Sequence, residues 1–335
     1  METDRISVIV PCYNAADTIE GCVTSVLHTG YPALEIIVVD DHSNDDSARI
    51  VEKLAAKDNV IKLVRHGENG GAAKSRNTGA SVATGAFLFF VDSDTEMLQD
   101  TLSNFLRRIK DTDAVTGIYH YEPLVAGPTA RYKGLLNYYL STKNGVVPFT
   151  VFHGACAGIH QKLFHELGGF NEQLRWGMDY ENEEFGYRLA EKYCNLLDPE
   201  VVVKHLFPNF KKTTQTYFSR VSQWVQIFSK RRKFETVYGT ATIGVSTASL
   251  LVAFASFPLG FFHKYLWAIP LLFAFSYLYG YLGFFVFVAR MRIRYLPSVV
   301  LLNAYFTVVI ALGAVHGFCT VLSGKSDIQE TMRQL

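Results

Sequence analysis

The chain has 335 residues, a formal net charge of +1 and 49% hydrophobic residues, a balance that excludes a broad electrostatic draw to nucleic acid. Its five cysteines (Cys12, Cys22, Cys156, Cys194 and Cys319) are odd in number and show no C-x-x-C spacing. That excludes a paired disulfide framework and points to reduced thiols in a cytosolic setting.

The first apolar run, Ile6 to Val10, reads as a strand that ends in Pro11-Cys12-Tyr13-Asn14, with a helix over Asp17 to Leu27. A second run, Glu35 to Val39, ends in Asp40-Asp41 and the polar turn His42 to Asp46, followed by a helix from Ala48 to Lys57. Ile61 to Val64 reads as a third strand, and Asn69-Gly70-Gly71 opens a helix that carries Lys74 and Arg76. The fourth strand, Ala86 to Val91, ends in Asp92-Ser93-Asp94, after which a helix is expected over Met97 to Ile109. Unbroken apolar strands alternating with helices predict an α/β fold with a mostly parallel sheet and right-handed crossovers. Ligands of such sheets bind at the carboxyl ends of the strands, where Asp92 and Asp94 fall. Two acids at i, i+2 leaving a strand can both face a hard divalent cation; as a lone motif they equally suit a turn in which Asp94 caps the next helix. Gly70-Gly71 is not G-x-G-x-x-G, so an ordinary dinucleotide site is not expected.

SVIVPCYNA (Ser7 to Ala15), VVDDHSND (Val38 to Asp45), NGGAAKSRNTGA (Asn69 to Ala80) and FFVDSDT (Phe89 to Thr95) together resemble the nucleotide-sugar half of a family 2 glycosyltransferase of GT-A fold. The resemblance continues through HGACAGIHQKLFHELGGFNE (His153 to Glu172), ENEEFGYRL (Glu181 to Leu189) and Val203-Lys204-His205, covering roughly residues 5 to 210. It implies a nucleotide diphosphate-sugar donor, expected to be a UDP-sugar, a Mg²⁺ or Mn²⁺ ion, and usually inversion at the anomeric carbon. It places Tyr13 and Asp41 at the base and ribose, in a donor set of Pro11, Tyr13, Asn14, Asp41, Lys74, Arg76 and Asp92. The chemistry agrees: charge builds on the leaving diphosphate, and a metal on Asp94 and Asp92 would neutralise it, helped by a cation from Arg76 or Lys74. His205, after the strand Val201 to Val203, corresponds to a family histidine able to complete the metal site.

On the acceptor side, Gly168 to Glu172 matches the loop at the rim of the family's acceptor pocket, and Trp176 offers an aromatic face for a sugar. The family's catalytic base, an Asp in the motif at Glu181 to Leu189, falls here on Asn182, which cannot take a proton at neutral pH. Asp179 or Glu181 is then the base, with Asp179 preferred because it precedes the helix. Otherwise the reaction needs none, as with a retaining route or a phosphate acceptor. These acids also suit a helix N-terminus without any catalytic role.

Residues 239–262, 265–289 and 298–322 are each long enough to cross a bilayer and hold no Asp, Glu, Lys or Arg. Three spans follow, with the cationic clusters Lys230 to Lys233 and Arg290 to Arg294 on the cytosolic side, together with the catalytic domain. Met1 to Arg5 leads straight into a strand, so no signal peptide is expected. Tyr217, Phe218, Val221, Trp224, Val225 and Phe228 recur at helical spacing, which predicts an amphipathic helix on the membrane surface. Arg220-Val221-Ser222-Gln223-Trp224 differs by one residue, Gln223 in place of Arg, from the (Q/R)xxRW box of membrane-integrated relatives, an alternative acceptor role for Arg220 and Trp224.

The expected organisation is a GT-A domain over residues 1–210, an interfacial helix over 211–236 and a membrane domain over 237–335. The expected activity is sugar transfer from a nucleotide diphosphate donor to a lipid or lipid-linked acceptor at the cytosolic face, in a plasma membrane if the source is bacterial. Two alternatives stand beside it. One is a polysaccharide synthase, for which three spans are few; the other is an inactive sugar-nucleotide-binding scaffold, suggested by Asn182.

Overall fold

The computed structural model describes residues 4–174, 180–231 and 240–324. The chain divides into two compact units, Met1–Leu124 with Ser141–Leu206, and Val125–Leu140 with Phe207–Leu335. Residues 125–140, inside the stretch read from sequence as one catalytic domain, therefore pack with the second unit.

In the first unit β1 (Ile6–Cys12), α1 (Ile19–Leu27), β2 (Leu34–Asp40), α2 (Ser47–Ala55), β3 (Ile61–Arg65), α3 (Gly71–Val82) and β4 (Phe87–Val91) follow the expected alternation. Then come β5 (Thr95–Met97), α4 (Thr101–Ile109) and β6 (Ala114–Tyr119), before α5 (Pro128–Thr142), most of which belongs to the second unit. β7 (Val147–Pro148), β8 (Cys156–His160), α6 (Gln161–Glu166), α7 (Tyr180–Lys192) and β9 (Asn195–His205) complete it. The strands form one sheet in the order β3-β2-β1-β4-β8-β6-β9-β5, with β7 on β9. β1 pairs in parallel with β2 and β4, and β2 with β3, but β8 runs antiparallel to β4 and β6. The sheet is thus mixed, its parallel half being the one that the first four strands announce.

Successive side chains of β1 and β4 point to opposite faces, and both faces are covered. Val8, Val10, Phe89 and Val91 pack with Val23, Val51, Leu102 and Phe105 from α1, α2 and α4. Ile9, Leu88 and Phe90 pack with Ala80, Phe164, Phe185 and Leu189 from α3, α6 and α7. Two-sided burial is the physical reason these strands are unbroken apolar runs rather than alternating ones.

The helix expected from Met97 starts instead at Thr101, with Asp100 at its cap position. Thr95 to Met97 are taken as a strand paired antiparallel with Val203 to His205. Tertiary pairing overrides local propensity here, and Asp94 does not cap a helix.

The second unit holds α5, α8 (Phe210–Arg231), α9 (Thr240–Ser256), α10 (Ala268–Arg292) and α11 (Leu296–Leu322). α8 lies along α11 so closely that a Cβ on Gly313 or Gly317 would strike the backbone carbonyls of Phe218 or Ser222. Tyr217 packs edge-on to Phe306, and Phe218 meets His316, so part of the apolar stripe of α8 is covered by α11 rather than left for lipid. Two helical runs, Gly244–Phe261 and Lys264–Leu322, are long and apolar enough to cross a membrane. Three spans are expected from sequence; here 3₁₀ turns at Lys264–Trp267 and Ile293–Tyr295 keep the second run helical throughout. That run nevertheless folds back. Residues 277 and 303 would stand about 39 Å apart in a straight helix, yet the Tyr277 hydroxyl hydrogen-bonds the Asn303 side-chain oxygen. The reversal coincides with extended backbone at Arg292, φ −158° and ψ 89°. All five cysteines are free.

Candidate active site

The carboxyl ends of β1, β2 and β4 and the start of α3 enclose a cleft of about 380 Å³ lined by Pro11, Tyr13, Asp41, Arg76, Asp92 and Asp94 among others. That volume suits a small-molecule site, typically about 300–1,000 Å³. Tyr13 is 49% exposed, an aromatic face held open at the rim.

The loops around Tyr13 are cross-tied. Asn14 adopts φ +49°, a left-handed conformation that Asn tolerates. Its amide donates to Ser43 Oγ (3.0 Å), and its side-chain oxygen accepts from the Asn44 amide (2.8 Å). Asp41 is buried, and its oxygens accept from the amides of Gly70 (2.8 Å) and Gly71 (2.7 Å). A carboxylate is well placed at those amides, because the first turn of a helix leaves its N–H groups unpaired and carries positive potential. Gly71 sits at φ +85°, which only glycine adopts without strain. His66 Nδ1 lies 2.7 Å from Asp41 and its Nε2 2.9 Å from Thr78 Oγ1, completing a brace that no sequence signal marked.

Arg76 is the hub. Its side chain is 4% exposed; Nη2 donates to Asp92 Oδ1 at 2.7 Å and Nη1 to Glu181 Oε1 at 2.9 Å, while Cζ lies 5.4 Å from the Phe170 ring centre. Glu181 is thus a buried ion-pair partner. Asn182, at the position where a base was expected, accepts the Gly154 amide through Oδ1 (2.9 Å). An added Cβ at Gly154 would lie 2.7 Å from Arg76 Nε and 2.9 Å from Asn182 Oδ1, so this position needs glycine for space. Glu184 pairs with Arg188, whose guanidinium also donates to the carbonyls of Leu167 and Gly169 and so anchors the Gly168-Gly169 loop.

Asp94 Oδ1 stands 3.6 Å from His205 Nε2. The strand pair β5–β9, in register Thr95↔His205, brings them together. Among the described residues no group of three or more His, Cys, Asp and Glu converges on a metal position. An ion here would take protein ligands from Asp94 and His205 and complete its shell with phosphate oxygens and water, as Mg²⁺-type ions do.

Of the remaining expected residues, Lys74 Nζ lies 3.9 Å from exposed Glu68 and is not part of the cleft lining. Arg220 and Trp224 lie on α8 in the second unit, where Trp224 stacks on Phe228. Trp176 and Asp179 fall outside the described residues. A further buried carboxylate escaped the sequence reading. Burial of Glu35 opposes its ionisation, but Lys62, Ser7 and Thr84 outweigh this by hydrogen bonding and hold its pKa at about 2.

Residues 7–168 match the family model Glycosyl transferase family 2. Among curated relatives, glycosyltransferase GlyG of Streptococcus pneumoniae is 36% identical over 120 residues, 35% of this chain and 40% of GlyG. The GalNAc(5)-diNAcBac-PP-undecaprenol beta-1,3-glucosyltransferase of Campylobacter jejuni is 34% identical over 112 residues, 32% of this chain and 35% of that enzyme. The chain therefore matches well under half the length of either. The mannosyltransferase PcManGT of Pyrobaculum calidifontis, solved with GDP-Man and Mn²⁺, superposes with a TM-score of 0.58 over 96% of this chain and 88% of its own, at 21% identity. That is a likeness of fold. Residues 7–168 are thus similar to a glycosyl transferase family 2 domain, on an α/β sheet of GT-A type.

Proposed function

We propose that the protein is a membrane-anchored, metal-dependent glycosyltransferase that moves a sugar from a nucleotide diphosphate donor, a UDP-sugar, to a lipid or lipid-linked acceptor at the cytosolic face. The observation that carries this reading is the convergence of Tyr13, Asp41, Arg76, Asp92 and Asp94 on one cleft within the family 2 domain.

In this reading Tyr13 stacks on the base, and Asp41 holds the start of α3 against the loops after β1 and β2. Arg76 fixes Asp92 and Glu181, which gives Glu181 a positioning role and leaves Asp179 as the carboxylate that takes the acceptor proton. Asp94 and His205 would hold Mg²⁺ or Mn²⁺, which when bound supplies Lewis-acid neutralisation of the leaving diphosphate. The pairing of imidazole with carboxylate, and the Mn²⁺ bound by PcManGT, favour Mn²⁺. A lipid-linked acceptor is supported by the undecaprenol named in the Campylobacter jejuni relative and by the apolar helical runs. The fold-back at Arg292 supports three crossings, with Arg290 to Arg294 cytosolic by the positive-inside rule.

The test is turnover of a panel of nucleotide sugars by purified full-length protein with extracted lipids, with and without chelator, and products identified by mass spectrometry. A metal-dependent glycolipid product is expected. Hydrolysis and transfer both absent across the panel, with Mn²⁺ supplied, would refute the reading.

A further inference from the structure

Asp41 is held more completely than its place at the start of α3 requires. Its amide donates to the carbonyl of Cys12, the residue before Tyr13, at 2.8 Å, and its own carbonyl accepts Asn69 Nδ2 at 3.2 Å. The carboxylate is almost used up as well. Such a group has about four lone-pair positions. Oδ1 takes the Gly70 amide and His66 Nδ1, and Oδ2 takes the Gly71 amide, so a single acceptor position is left, on Oδ2.

His66 is the partner that the helix start does not explain. It follows β3, its amide donates to the Asp40 carbonyl at 2.9 Å, and its side chain is 9% exposed. A carboxylate only accepts, so Nδ1 carries the hydrogen. Nε2 rests 2.9 Å from Thr78 Oγ1 on α3, a hydroxyl able to donate or accept. Neither His66 nor Thr78 belongs to the cleft lining, whereas Asp41 and Tyr13 both do. The imidazole therefore acts on a ligand only through Asp41.

The closed oxygen bears on which ring the cleft takes. A planar base stacked on Tyr13 has its edge available to the neighbouring carboxylate. Guanine carries adjacent donors, N1–H and the 2-amino group, which pair with both oxygens of a carboxylate. Uracil carries one ring donor, N3–H. With Oδ1 filled by His66 and Gly70, one N–H is met and the second donor of guanine is buried without an acceptor, which costs binding.

We propose that His66, seated on Thr78, is a positioning residue that closes Oδ1 of Asp41, so that the cleft selects a base with a single N–H, uracil, over one with a paired donor edge, guanine. This rests on the nucleotide-diphosphate donor reading above and gives it a means of choosing the base.

The experiment is isothermal titration of UDP and of GDP into detergent-solubilised full-length protein with Mn²⁺ present. Wild type should bind UDP about tenfold or more tightly than GDP, the effect of one donor left unmet. His66→Leu opens Oδ1 and should shrink that ratio to about threefold or less, whereas His66→Asn, whose amide sets an N–H where Nδ1 stood, should hold it within about threefold of wild type. Thr78→Val removes the partner of Nε2 and should narrow the ratio by about threefold, with Thr78→Ser restoring it; this pair decides the matter if His66→Leu does not fold. A role in stability alone would weaken both nucleotides together and leave the ratio where it was. A ratio unmoved in folded His66→Leu, or in Thr78→Val where His66→Leu does not fold, would overturn the proposal, as would wild type binding GDP more tightly than UDP. Transfer assays separate the two readings. UDP-sugar turnover with a ratio indifferent to His66 removes the positioning role and leaves the transferase. A ratio that depends on His66 without turnover of any nucleotide sugar removes the transferase and leaves the base selection.

Discussion

The Arg76 hub offers a quantitative test, because both it and Glu181 are almost wholly removed from water, at 4% and 5% side-chain exposure, whereas Asp92 is 31% exposed. At contact distance and an effective dielectric near 20, one such charge pair is worth about 4 kcal/mol before desolvation. Arg76→Met leaves Glu181 as a buried anion that has lost its cation, and breaking a buried pair in this way costs about 3–5 kcal/mol. Glu181→Gln keeps a hydrogen-bond acceptor, and Arg76 keeps Asp92, so that change should cost less, about 1–3 kcal/mol. The double variant removes both charges and should be no worse than Arg76→Met alone, a coupling of about 2 kcal/mol. Calorimetric melting of the detergent-solubilised protein reads this directly. For a unit of this size the shift is about 2–4 °C per kcal/mol, so Arg76→Met should lower the first unit's transition by about 6–20 °C. Arg76→Lys should not rescue it, because one ammonium cannot reproduce a planar fork that grips two carboxylates through separate nitrogens. Strictly additive losses in the double variant would show that Arg76 and Glu181 stabilise the domain independently and would refute the hub.

Asp94→Asn should abolish metal-dependent transfer, about 10²-fold or more, while the melting transition stays in place; full activity in that variant or in excess chelator would count against the metal. Gly154→Ala places a Cβ 2.7 Å from Arg76 Nε, and displacing the guanidinium should lower turnover about 10²-fold with the fold retained, as misplacements near 1 Å do. Glu35, with a folded pKa of about 2 against about 4.3 unfolded, contributes stability that is complete above the unfolded value and is lost as pH falls toward 2. Its total contribution is about 3 kcal/mol. Melting between about pH 5 and 3 should therefore fall further for wild type than for Glu35→Gln, by about 2 kcal/mol, and parallel curves would contradict this.

What the residues decide alone is what depends on neighbours along the chain. Ile6 to Val10 and Phe87 to Val91 are apolar on both sides, so their burial in the middle of a sheet is legible from composition, and with it the edge where Asp92 and Asp94 emerge. The likeness to a family 2 domain was legible in ordered motifs from Ser7 to the Gly168-Gly169 loop. Long uncharged stretches likewise announce helices fit for a bilayer.

What depends on residues far apart in sequence was decided only in three dimensions. Met97 reads as the start of a helix, and instead ends a strand because β9 offers Thr95 to Met97 an edge more than a hundred residues later; that pairing sets His205 beside Asp94. Glu181 carries no mark in the sequence of its ion pair with Arg76, 105 positions away. Asp41, read as a donor ligand, also takes the amides of Gly70 and Gly71, a contact that only the fold brings about. Residues 125–140 read as catalytic domain, yet Tyr132 is buried against Phe306 and hydrogen-bonded by Asn303, because an apolar helix packs where an apolar surface awaits it, whatever the chain distance between them.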